Sequence, residues 1–201
     1  MLKKILSGFS AGLLISIGGV VFLACDNKYI GAVFFSVALL CICYKGYSLF
    51  TGKIGFIPEK HGKEEWSVLF TGLFGNLLGT VAGGALIRLG LPALAETAQT
   101  LAANKLTQTF PQTIIRAFFC GVLMYLAVSI YRDKNTVTGI VFCIPVFILS
   151  GFEHSIADMF YFAAAFSANA KSVLFILTVL LGNALGGMIL PIFNFNKRKN
   201  Q

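Results

Sequence analysis

Gly75-Asn76-Leu77-Leu78-Gly79 returns 107 residues later as Gly182-Asn183-Ala184-Leu185-Gly186, each time inside a long apolar run. In both copies the asparagine is followed three residues on by glycine. That spacing reads as a paired helix-packing position whose amide ties down neighbouring backbone. A second pair lies at an offset of 105: Gly46-Tyr47-Ser48-Leu49-Phe50-Thr51-Gly52-Lys53 against Gly151-Phe152-Glu153-His154-Ser155-Ile156-Ala157-Asp158. Only the glycine is shared there, and its weight comes from the common position in each half. The chain is therefore expected to be a duplication, roughly residues 1–90 and 105–196 of a single domain, 1–201.

Six apolar runs carry these segments: Ile5 to Ala24, Ile30 to Phe50, Trp66 to Leu89, Ile114 to Tyr131, Val137 to Phe166 and Val173 to Phe195. A bilayer core of about 30 Å takes roughly 20 apolar residues per helix, so each run is long enough to span. None alternates apolar with polar residues as a barrel strand must, which leaves helix as the spanning element. With 57% hydrophobic and 12% charged residues, the composition is that of an integral membrane protein. Three helices per half is an odd number, so the halves enter the membrane from opposite sides as inverted repeats. In that architecture Gly46 to Lys53 and Gly151 to Asp158 are the expected breaks in the second and fifth helices.

The net charge of +8 does not indicate nucleic acid, because the basic residues are scattered between apolar runs or sit near the ends. Lys3, Lys4, Lys53, Lys60, Lys63, Arg132, Lys134, Lys197, Arg198 and Lys199 fall on one side of the membrane. Lys28, Arg88, Lys105, Arg116 and Lys171 fall on the other. Both termini are accordingly expected in the cytoplasm, and the location in the cell inner (plasma) membrane. Phe22-Leu23-Ala24-Cys25 is a loose lipoprotein cleavage box, but the apolar stretch exceeds a signal core and cleavage would break the repeat, so the N-terminus is expected to be kept. Between the third and fourth helices, Ala93 to Ala103 suits a short helix over the outer face. The five cysteines have no disulfide or metal-ligand spacing and read as small buried hydrophobes.

Glu153 and His154 stand halfway along the fifth run, where an ionisable side chain is costly unless it faces a pore or a partner. Glu153 is read as structural, accepting backbone N–H groups freed at the opposite break. His154 is read as functional, since a histidine in a narrow pore either donates a hydrogen bond to an anion or carries a proton. Thr51, in the other break, has a hydroxyl that both donates and accepts, suited to meeting His154 across the pseudo-two-fold or to capping a helix end. Asn76 and Asn183 are structural first and pore-lining second. Lys105 is a surface lysine by composition, and beside a pore mouth it would concentrate anions. Lys45 reads as a snorkelling side chain, Asp158 as an unassigned acid near a break, and His61 as a solvated loop residue. No metal or cofactor site is expected.

Gly151-Phe152-Glu153-His154-Ser155-Ile156-Ala157, Leu49-Phe50-Thr51-Gly52, the two asparagine repeats and Arg116 to Ala127 (RAFFCGVLMYLA) together resemble the formate/nitrite transporters. Members of that family are pentameric channels with an aquaporin-like hourglass protomer. The resemblance covers all six runs. It implies His154 as the central pore histidine and Thr51 as its partner. It implies Phe35, Leu39 and Leu49 on one side, with Phe147 on the other, as apolar constrictions, and Lys105 as the lysine of the outer vestibule. The chain departs from the family where it has Gly121 and Asp158 in place of asparagines, the glycine being expected to remove one pore hydrogen-bond donor from the fourth helix, and where it has Ser48 in place of an acid and shorter termini. It resembles a short, divergent member.

The implied activity is passage of small monovalent anions of weak acids, such as formate, nitrite or hydrosulfide, through a homopentamer in the lipid bilayer. Crossing is expected to be proton-linked, with Lys105 gathering the anion and a proton supplied directly or through His154. The rival is an aquaporin-like facilitator of small neutral solutes, against which stands the absence of an Asn-Pro-Ala triplet at either break. An enzyme is not expected, because paired catalytic carboxylates, a nucleophile beside a base, and haem or metal ligand pairs are missing.

Overall fold

A computed structural model describes the backbone of residues 1–199 and the side chains of residues 1–193, so the side chains of Lys197, Arg198 and Lys199 lie outside the described part. The described chain is helical: α1 Leu2–Ala24, α2 Lys28–Lys45, α3 Phe50–Lys53 with a 3-10 turn Ile54–Phe56, and α4 Lys63–Gly90. After these come α5 Pro92–Lys105, α6 Phe110–Lys134, α7 Thr138–Leu149, α8 Ser155–Ala164 and α9 Ala170–Lys199. Five of these, α1, α2, α4, α6 and α9, are long and apolar enough to cross a membrane. The fifth apolar run is divided between α7, of 12 residues, and α8, of 10.

Helices overrun the apolar runs where polar residues suit helix ends. Glu64 and Glu65 sit in the first turn of α4, where acidic side chains complement the helix dipole. Thr109 and Gln112 close a capping box at the start of α6, followed by Pro111 in the first turn. The small-residue stretch of the 90–113 link forms α5, whose Ala95, Ala98 and Ala102 are buried and which packs on α8, α4 and α1.

Two close helix pairs frame the molecule. α1 lies on α4 and α6 on α9, nearly backbone to backbone. A Cβ on Gly12 would meet the Asn76 carbonyl, one on Gly75 the Ile5 carbonyl, and one on Gly79 the Phe9 carbonyl. In the second pair a Cβ on Gly121 would meet the Asn183 carbonyl and one on Gly186 the Phe118 carbonyl. Between the pairs, α2 packs on α7. α3 and its 3-10 turn reach α6 and α9, whereas α8 reaches α4 and α1, so each segment after an interruption docks on the other half's helix pair.

Large apolar side chains such as Phe34, Phe74, Phe142, Leu174 and Leu181 are exposed on the outer helix faces, the arrangement of a chain whose solvent there is hydrocarbon.

Candidate functional site

Both interruptions begin the same way. α2 and α7 end before glycines with a left-handed backbone, Gly46 and Gly151, each at φ 67°. That conformation is free of steric cost for glycine alone. Next, Tyr47 N–H donates to the Ile42 carbonyl at 3.0 Å and Phe152 N–H to the Phe147 carbonyl at 2.9 Å, the same six-residue closure in both. The chain then runs extended through Leu49 and His154 before α3 and α8 start.

Asparagine holds each extended piece. Asn76 Oδ1 accepts the Phe50 N–H at 2.9 Å, while its amide donates to the carbonyls of Ser48 and Gly8, both at 2.8 Å. Asn183 repeats this with the Ser155 N–H at 2.9 Å and the carbonyls of Glu153 and Ala117 at 2.8 Å. Both amides are fully buried. Ser7 adds a clamp on one side only, its hydroxyl accepting the Ser48 N–H at 3.0 Å.

Held in this way, the two segments bring Thr51 and His154 together: Oγ1 and Nε2 are 2.9 Å apart, in a site where each side chain is at most 2% exposed. His154 also caps α8, its Nδ1 accepting the Ala157 N–H at 3.1 Å. An acceptor at Nδ1 assigns the ring proton of the neutral imidazole to Nε2, so Nε2–H donates to Thr51 and the threonine's own proton is left for a further acceptor. Phe147 stacks on the imidazole with centroids 5.6 Å apart, and Phe35 meets Phe147 edge-on at 6.3 Å.

Leu39 and Leu49, also buried, line a vestibule of about 690 Å³ on the side of the 3-10 turn. Lys53 and Arg132 stand in the same vestibule, Arg132 over the Phe56 ring at 4.1 Å. Among the described residues, neither forms an ion pair, whereas neighbouring Lys60 pairs with Glu65 at 3.4 Å. The sequence reading missed both as site residues. A signal was present, since Lys53 occupies the place in the first break that Asp158 occupies in the second.

Three expectations are corrected. Lys105 is not a lone surface lysine. Its side chain is 13% exposed and sits between two acids, touching Glu153 Oε2 and lying 2.9 Å from Asp158 Oδ1. Glu153 does not take N–H groups of the opposite break. Its carboxylate binds Lys105 and accepts from Gln108 Nε2 at 2.7 Å, while its main-chain carbonyl takes Asn183. Gly121 is not a vacated pore donor, because it faces the α9 backbone, where any side chain would push α6 away. Lys45 and His61 are exposed.

Comparison with known proteins gives one family. The model of the formate/nitrite transporter family matches residues 1–195. The formate-nitrite transporter of Plasmodium ovale is 27% identical over 233 residues, covering 95% of this chain and 74% of its own length. The nitrite transporter NirC of Escherichia coli (strain K12) is 30% identical over 176 residues, covering 77% of this chain. The chain spans 65% of the length of that bacterial relative. A solved pentameric formate channel with formate bound superposes over 100% of this chain and 98% of its own, with a TM-score of 0.79 at 24% identity.

Proposed function

The chain belongs to the formate/nitrite transporter family, and on that premise we propose that it conducts small monovalent anions of weak acids, with formate, nitrite and hydrosulfide as the candidate substrates, past His154. The protomer is read as one transmembrane domain, 1–201, built of two inverted three-helix halves with broken second and fifth helices in an aquaporin-like hourglass. Five copies assemble in the plasma membrane with both termini cytoplasmic. The matched glycine turns and asparagine clamps support the inverted repeat, and Lys3, Lys4, Lys60 and Lys63 on one face support the orientation.

The observation that carries the reading is the buried contact of Thr51 with His154 beneath the Phe35–Phe147 edge. A bare anion between phenyl and leucyl side chains loses most of its hydration, whereas its conjugate acid is neutral and crosses at much lower cost. The site supplies a donor in a buried place: the hydroxyl proton of Thr51, left free because His154 Nε2–H donates to Thr51 Oγ1. With Nδ1 committed to the α8 cap, His154 acts as a neutral hydrogen-bond donor. The proton that accompanies the anion therefore comes from the vestibules and not from the imidazole.

Uptake into proteoliposomes tests this. Formate, nitrite and hydrosulfide are compared with glycerol across a pH series, with His154→Asn in parallel. Anion uptake that rises as pH falls and depends on His154 is the expected result. Uptake of glycerol without any anion would overturn the reading.

A further inference from the structure

Two carboxylates share one cation in the cluster at the end of α5. Lys105 Nζ touches Glu153 Oε2 and lies 2.9 Å from Asp158 Oδ1, and the acid side chains are 3% and 1% exposed. Gln108 satisfies the second oxygen of Glu153 at 2.7 Å. The second oxygen of Asp158 is buried and has no hydrogen-bond partner among the described residues. One cation against two anions leaves a surplus negative charge in a buried place, which the protein interior tolerates poorly.

Among the described residues, the groups that face Asp158 bring no second cation. Lys105 comes from α5, Glu153 from the segment before α8, Tyr161 from α8 itself and Cys120 from α6. Arg88 of α4 lies over the Phe166 ring and Arg116 of α6 beside Gly151, and both are exposed. The His154 ring also lies near Lys105, but as a neutral imidazole whose Nδ1 accepts the Ala157 N–H it adds no charge.

We infer that Lys105, Glu153 and Asp158 form a proton-binding site that takes up one exchangeable proton, received at the unpartnered Oδ2 of Asp158. In uptake, the O–H bond of a hydronium ion or weak acid arriving from the side on which Lys105 keeps its 13% exposure breaks and Asp158 Oδ2–H forms. The donor leaves as water or as its conjugate base, and no electrons change hands. The loaded cluster is neutral and the empty one carries a single negative charge, one helical turn from His154. An anion approaching from that side therefore meets a barrier that falls as pH falls. The consequence for flux rests on the anion-channel reading, whereas the proton site does not.

Infrared difference spectroscopy of the full-length protein in lipid, between about pH 8 and about pH 5, where exposed carboxylates stay ionised, tests the site. A protonated carboxyl C=O band should grow as pH falls, shift when aspartate is ¹³C-labelled, and vanish in Asp158→Asn. The other aspartates, Asp26 and Asp133, are exposed. The isotope shift needs no variant, so a poorly folding substitution does not weaken the test. In the uptake assay Asp158→Asn should raise anion flux at pH 8 by roughly two- to tenfold, the effect of one unit charge at about 10 Å in a medium between water and protein, and flatten the pH profile. A band that ignores both the label and the substitution overturns the proton site, even if anions move. A band that behaves as expected in a protein that moves no anion upholds the site and overturns the channel reading.

Discussion

Thr51 and His154 are 103 residues apart in the chain, yet Thr51 Oγ1 and His154 Nε2 meet at 2.9 Å. The contact ties the start of α3 to the start of α8 and makes one donor pair of two half-sites. His154→Asn keeps a good helix cap, since asparagine accepts an N–H at that position, but is too short to reach Thr51. The expected variant is folded, with anion flux reduced about tenfold or more, the scale of a lost hydrogen bond to a charged group. Thr51→Val should behave alike. Unchanged rate and pH profile in both would mean that the pair does not meet the permeating species.

The two asparagine clamps should have equal worth. Removing either amide strips two carbonyls and one N–H of their partners in a buried place. Asn76→Ala and Asn183→Ala should each cost about 2–4 kcal/mol, given roughly 1–3 kcal/mol per unsatisfied buried group and partial relaxation in a membrane protein. Thermal unfolding in detergent would measure this, and a loss confined to one of the two would break the equivalence.

Charge removed at Lys105 should be felt as instability before it is felt as transport. Lys105→Gln leaves Glu153 and Asp158 facing each other without their cation, and breaking a buried pair costs about 3–5 kcal/mol. Adding Asp158→Asn should recover part of that loss, since the double variant buries one acid where the single variant buries two. A strictly additive pair of stability changes would show that the two side chains are not coupled.

Salt dependence should track the opposite mouth. The acids cancel the field of Lys105, whereas Lys53 and Arg132 line their vestibule without ion partners among the described residues. Lys53→Gln is expected to slow anion access from that side several-fold at low ionic strength and much less at high, as screening predicts. Equal slowing at both salt concentrations would assign Lys53 a packing role.

The apolar runs and the two interruptions are legible in the chain because hydropathy sets spans and a left-handed turn needs glycine, as at Gly46 and Gly151. The meeting of Thr51 with His154 is legible for a related reason: corresponding breaks in two halves converge on one point. The surroundings of Lys105 are not legible. They depend on where the 14-residue α5 ends after packing its alanines, and sequence spacing says nothing of the direction of that lysine. Gly121 misleads because a glycine at a polar position of the family reads as a loss of chemistry. Its neighbour is a backbone carbonyl, so it reads in three dimensions as a condition of close approach.

The seams of α1 on α4 and α6 on α9 can be tested directly. Gly79→Val or Gly186→Val should destabilise by about 1–3 kcal/mol or more, because the added carbons meet carbonyl oxygens that cannot rotate away. Gly90→Ala, with open space around its Cβ, should be near neutral. Similar melting of the seam variants and this control would argue that the helices are not held so close.

Contacts made by main chain against main chain have no rotamers to exchange, so each seam is stiff on every timescale on which side chains hop. Compliance is left to the thin parts between the seams, the four-residue α3 and the extended residues ahead of α8. Breathing of the protein should accordingly be a local flexing of two short hinges inside a rigid four-post frame, and amide exchange should be slow along the posts and faster where Leu49 and His154 bridge them.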